Sequence, residues 1–143
     1  MQTSAPGRAG VGQLANQQEI WTERPEDHDY PAAEQYLSLV MKPDEARSLV
    51  EGMRALPIKA WKAKDILRAS GLPLLSDAVT HVRRDLDKVR SGKPLSPVLL
   101  VRGDARTKRP LIVADGYHRV CASWILDENT DIPCQMADLP AQG

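Results

Sequence analysis

Two cysteines, Cys121 and Cys134, are too few for a disulfide scaffold. No stretch approaches the roughly 20 consecutive apolar residues needed to cross a bilayer. The N-terminus lacks the apolar core of a secretory signal. Together these absences set the expectation of a reduced, cytoplasmic protein with no membrane partner. Net charge is also missing. Lys and Arg total 19, as do Asp and Glu, which argues against a whole molecule that binds nucleic acid as a cation. The sequence has no G-x-x-x-x-G-K-[ST] phosphate loop, no G-x-G-x-x-G dinucleotide loop and no H-E-x-x-H metal helix. It contains no internal repeat.

What remains is ordinary for a globular chain. The 143 residues are 42% apolar and 27% charged, enough for one domain with a real core and little room for a second. The charge balance hides a local asymmetry. Residues 1–58 carry five basic and nine acidic side chains, whereas residues 59–93 carry nine basic and four acidic. That basic middle segment either meets an anion or forms the solvated face of two helices.

Residues 1–30 are rich in Gly, Gln, Pro and charge, so a mobile segment is expected there, with Trp21 and Tyr30 anchoring its end. Residues 31–58 read as helical. A first helix begins at Pro31 and runs through Tyr36, Leu37, Leu39 and Val40. A second starts at Pro43, whose missing amide hydrogen is harmless in a first turn, and carries Ala46, Leu49, Val50, Met53 and Leu56 on one face. Residues 59–140 form the expected core. A helix is predicted over Trp61–Ser70, with Gly71 as its cap, and another over Asp77–Arg90, with Ser76 as N-cap. Val98–Val101 and Leu111–Ala114 read as strands joined by a polar loop. A helix from His118 to Leu126 and a strand over Ile132–Met136 complete an α+β domain with a small mixed sheet. Val82, Leu86, Leu99, Val101, Ile112 and Trp124 are the predicted core.

The residues best placed for chemistry are Asp115, Gly116, Tyr117, His118 and Arg119, where a strand turns into a helix. Free amides at a helix start favour an anion, and glycine lets the backbone approach it closely. Arg119 offers fixed donors to phosphate oxygens. His118 can exchange a proton near neutral pH. Asp115 can orient either group, or hold Mg²⁺ through water if the ligand is a nucleotide. The structural alternatives are equally concrete: a glycine that only permits the turn, an Asp115 cap, and an Arg119 paired with Asp127 or Asp138. A metal site from His118, Cys121 and Cys134 would need Asp115 or His81 to complete a tetrahedral set. Cys121 sits in an apolar helical setting where cysteine is usually a small core residue, so no metal site is assigned.

Two stretches, Ser96–Arg102 (SPVLLVR) and Pro110–Trp124 (PLIVADGYHRVCASW), resemble the ParB/sulfiredoxin superfamily, and the likeness covers about residues 60–138. Gly116 and Arg119 match the ends of the G-E-R-R motif of its partition proteins, with Tyr117 and His118 in between. Gly116, His118 and Arg119 match three positions of the sulfiredoxin G-C-H-R motif, but Tyr117 stands where the catalytic cysteine would be. The resemblance therefore implies phosphate-ligand contacts at this loop and argues against sulfiredoxin repair chemistry. By analogy with related nucleotide pockets it adds Lys62, Lys64 and Arg68 as candidate ligand contacts. The expected function is binding of a nucleotide or other phosphate-bearing small molecule, with hydrolase or phosphotransferase chemistry centred on His118 and Asp115. The alternatives are a DNA-binding partition accessory and a catalytically inactive interaction module, and self-association is open in each.

Overall fold

The computed structural model describes residues 19–140. Residues 1–18 of the expected mobile segment lie outside the described residues. Five helices and four strands follow in order: α1 (Asp29–Leu37), α2 (Pro43–Met53), β1 (Lys59–Lys62), α3 (Ala63–Ser70), α4 (Thr80–Arg90), β2 (Val98–Val101), β3 (Ile112–Asp115), α5 (Tyr117–Leu126) and β4 (Asp131–Ala137). This is the mixed α+β class. No helix among the described residues is long and apolar enough to cross a membrane.

The strands form one sheet in the order β1-β4-β2-β3. β4 pairs antiparallel with β1 and parallel with β2, while β2 pairs antiparallel with β3. Helices cover both faces. Alternate residues of β2 supply the two cores: Val98 and Leu100 join Ile66 of α3, Leu86 of α4 and Val120 of α5, whereas Leu99 and Val101 meet Leu37 of α1 and Met53 of α2. All four β2 residues are buried, so the strand reads as an unbroken apolar run rather than an alternating one. Fully burying one such aliphatic side chain is worth about 1.5–3 kcal/mol. The predicted core residues Val82, Leu86, Leu99 and Val101 are fully buried. Ile112 and Trp124 are partly buried and pack against the two cores.

A buried polar link ties the layers together. The Tyr30 hydroxyl donates to Gln135 Oε1 at 2.7 Å, and Gln135 Nε2 donates to the Leu56 carbonyl at 2.9 Å. Gln135 is completely enclosed, and these two bonds satisfy an amide that would otherwise be costly to bury.

Several boundaries differ from expectation. Trp61 and Lys62 belong to a strand instead of opening a helix. β1 has mostly exposed side chains and no apolar alternation, and it exists because β4 pairs with it from the far end of the sequence. The first two amides of α3 are met by the turn before β4: Ala63 N–H donates to Thr130 O and Lys64 N–H to Glu128 O. Gly71 closes α3 in the left-handed region, at φ 69°. α1 begins at Asp29, which places Pro31 in its first turn, where no intrahelical amide bond is lost. That helix stops at Leu37, leaving Leu39 81% exposed in the turn that follows. α4 begins at Thr80, three residues later than predicted, because Ser76 Oγ accepts the Ala78 amide and caps a turn instead of the helix.

From Glu19 onward the N-terminal segment is packed against the domain. Leu95 N–H donates to the Ile20 carbonyl and Thr22 N–H donates to the Leu95 carbonyl, both at 2.8 Å. Trp21 packs on the core beneath the sheet. The Ser123 hydroxyl donates to Glu19 Oε2 at 2.9 Å.

Candidate functional site

β3 delivers Asp115, Gly116 breaks the chain direction, and Tyr117 opens α5. Gly116 has φ 107°, a region that L side chains rarely adopt. Space also excludes a side chain: a Cβ there would lie 2.8 Å from Val98 Cγ2 and 2.8 Å from Arg119 Nη2. No side chain caps the helix, so its first-turn amides are not met from within the turn. The helix start borders a hollow of about 400 Å³, lined by His28, Asp29, His81, Arg84, Asp85, Lys88, Asp115, Gly116, His118 and Arg119.

Arg119 is the strut of this hollow. Nη1 donates to Ser96 Oγ at 2.6 Å, Nη2 donates to Asp115 Oδ2 at 2.7 Å, and Asp29 Oδ1 lies 3.6 Å from Nη1. The alternatives weighed for its partner are both replaced, since Asp138 takes Arg102 Nε at 2.6 Å and Asp127 Oδ1 accepts the Asn129 amide. Asp29 is 3% exposed; its other oxygen accepts the Glu26 amide at 2.9 Å. Burial pushes the Asp115 carboxyl up, an effect the adjacent Arg119 cation opposes and the Asp29 carboxylate reinforces. Asp115 is thus bound into an Asp–Arg–Asp cluster.

All three histidines of the sequence border the hollow. The rings of His81 and His118 lie 4.9 Å apart, tilted by 42°. Burial and the neighbouring His81 lower the pKa of His118, which keeps its imidazole neutral at physiological pH. Burial raises Asp85 on the α4 wall, against the pull of Arg119 and Lys88. Arg84 and Lys88, on the same wall, make no ion pair among the described residues.

The loop therefore brings Asp115, Gly116, His118 and Arg119 together around one hollow, and leaves Tyr117 outside it. The Tyr117 hydroxyl donates to the Pro73 carbonyl and fastens the connection after α3. Lys62, Lys64 and Arg68 do not border the hollow. Lys62 Nζ lies 3.7 Å from Asp131, Arg68 pairs with Asp65 at 3.5 Å, and Lys64 is exposed on α3. Cys121 and Cys134 are free and buried in the core, where loss of solvation raises both thiols, Cys134 to about 12. No group of three or more His, Cys, Asp or Glu among the described residues is arranged to hold a metal ion.

Sequence reasoning missed Asp29, Ser96 and the α4 wall. One signal for the wall was present. His81, Arg84, Asp85 and Lys88 recur at helical spacing, on a face beside the buried Val82, Leu86 and Val89. Asp29 and Ser96 carry no comparable pattern, since each reaches Arg119 only through the tertiary fold. Comparison with family models, with curated proteins and with solved structures returns no match.

Proposed function

We propose that the chain binds a phosphate-bearing small molecule, a nucleotide foremost, in the hollow at the start of α5. The observation that carries this reading is the pairing of an uncapped helix start with two uncommitted cations, Arg84 and Lys88, on the facing α4 wall. Amides at a helix start and basic side chains converging on one small volume match the charge and acceptor geometry of phosphate. The resemblance to the ParB/sulfiredoxin superfamily at Gly116, His118 and Arg119 supports the same reading. Arg119 holds the loop in shape, because Ser96, Asp115 and Asp29 engage both of its terminal nitrogens, and only its buried Nε is left without a partner. In this reading His118, held neutral, takes a proton from an attacking water during phosphoryl transfer, and Asp115 orients Arg119.

Calorimetric titration of the full chain with ATP, ADP and pyrophosphate tests the proposal. Saturable binding is expected, and Arg84→Ala/Lys88→Ala should weaken it by about 1.5–3 kcal/mol per lost charge-assisted contact. Both side chains border solvent on α4, so the thermal unfolding transition should stay where it is. Absence of saturable binding, or an affinity unchanged in a folded double variant, would overturn the reading.

A further inference from the structure

A second hollow of about 400 Å³ lies at the other end of the sheet, between α3, β1, β4 and the loop joining β2 to β3. Strand register separates it from the first. Leu99 pairs with Asp115 and Val101 with Ile112, so Gly116 leaves one end of the β2–β3 pair while Arg102 and Leu111 stand at the other. Its floor is apolar, made of Trp61, Ile66, Leu100, Leu111 and Met136. These residues belong to or pack against a single core, so the floor is held by the fold itself.

The charged residues around this floor differ in their commitments. Asp65 pairs with Arg68 at 3.5 Å. Arg102 Nε donates to Asp138 at 2.6 Å, and Asp104 Oδ1 accepts the Arg106 amide at 2.9 Å. Arg109 has no ion pair among the described residues. Its Nε is buried without a hydrogen-bond partner, and Nη2 reaches only the Arg102 carbonyl, at 3.5 Å. Arg109 therefore borders an apolar hollow with most of its guanidinium donors unused.

We propose that this hollow is a binding site for a small monocarboxylate with a flat apolar body. The body lies against Trp61 and the aliphatic floor, and the carboxylate takes the free edge of the Arg109 guanidinium. The volume falls within the roughly 300–1,000 Å³ usual for small-molecule sites, which combine apolar walls with a few placed polar groups. The planar fork of Arg matches a carboxylate with two parallel hydrogen bonds. A phosphate dianion is disfavoured, because Asp65 and Asp104 border the same space and only one cation there is uncommitted. This site is independent of the hollow at α5.

The test uses the full chain, 2-naphthoate as the acid and 2-naphthalenemethanol as its neutral counterpart, followed by calorimetry and by tryptophan fluorescence. Naphthoate should bind saturably and about tenfold or more tighter than the alcohol, the scale of one charge-assisted hydrogen bond. Arg109→Gln should remove that preference while leaving the alcohol's affinity in place. Met136→Trp, which fills the floor, should weaken both. ATP should displace neither. Equal affinity of acid and alcohol for the unaltered protein would overturn the proposal without recourse to any variant. Displacement by ATP, or naphthoate affinity unchanged in a folded Arg109→Gln protein, would overturn it as well.

Discussion

Arg119 joins segments that lie far apart in the chain: Asp29 at the head of α1, Ser96 before β2, and Asp115 at the end of β3. At 14% exposure its guanidinium is largely removed from water, and Asp29 is more so at 3%. Removing one member of a buried ion pair leaves its partner charged and desolvated, a loss of about 3–5 kcal/mol. Arg119→Met should therefore cost about 3 kcal/mol in urea unfolding. Adding Asp115→Asn should recover part of the loss, and not all, because Asp29 keeps its charge. A single variant within about 0.5 kcal/mol of the parent would place Arg119 among ordinary surface residues and remove its role as the strut.

Among the elements, the segment from Glu19 to Thr22 is the one whose attachment depends on protonation. Glu19 accepts from Ser123, yet burial pushes its carboxyl from the ordinary 4.5 up to about 7, with Asp127 and Asp85 adding to the rise. The folded state thus holds a proton that the unfolded chain would release. The stability this group contributes is complete below pH 4.5 and is lost as pH rises through about 7. Exchange of the Leu95 and Thr22 amides, corrected for intrinsic rate, should accelerate across that interval, and Glu19→Gln should flatten the response. Protection that does not change with pH in the unaltered protein would refute the latch. This segment also shows what a sequence leaves unsaid. Its sparse apolar content suggested mobility up to residue 30, whereas one tryptophan, two backbone bonds to Leu95 and the Ser123–Glu19 bond attach residues 19–22 to the domain. Elements with their own periodicity were legible: β2 lies where its apolar run ends at Val101, and α2 starts at Pro43. β1 was not, because Lys59–Lys62 gains its strand geometry from a partner some seventy residues downstream, pairing Lys59 with Cys134.

At the scale of the whole molecule the same contrast governs the candidate site. The Asp115–Arg119 loop announced itself through one strand, one glycine and one helix start, all contiguous. The hollow in front of it combines residues 28–29, 81–88 and 115–119, with Ser96 supporting Arg119 from outside it. That assembly is a property of the folded sheet and its two helical layers. Proximity in space is legible from sequence only where helical or strand spacing enforces it, as along α4, and not where a tertiary contact such as Asp29–Arg119 does. The sheet order has a further consequence, for the order in which the protein can be made. β4 is the last described element to leave the ribosome, yet it occupies an interior place between β1 and β2. Until residues 131–137 emerge, β1 lacks its only neighbour among the described strands and one side of the fully apolar β2 stays open. Such long-range pairing is slow to form and presents an adhesive edge while it is incomplete. A nascent chain that has already synthesised the whole of the α5 loop is therefore still an unfinished sheet, in need of shielding until its central strand arrives.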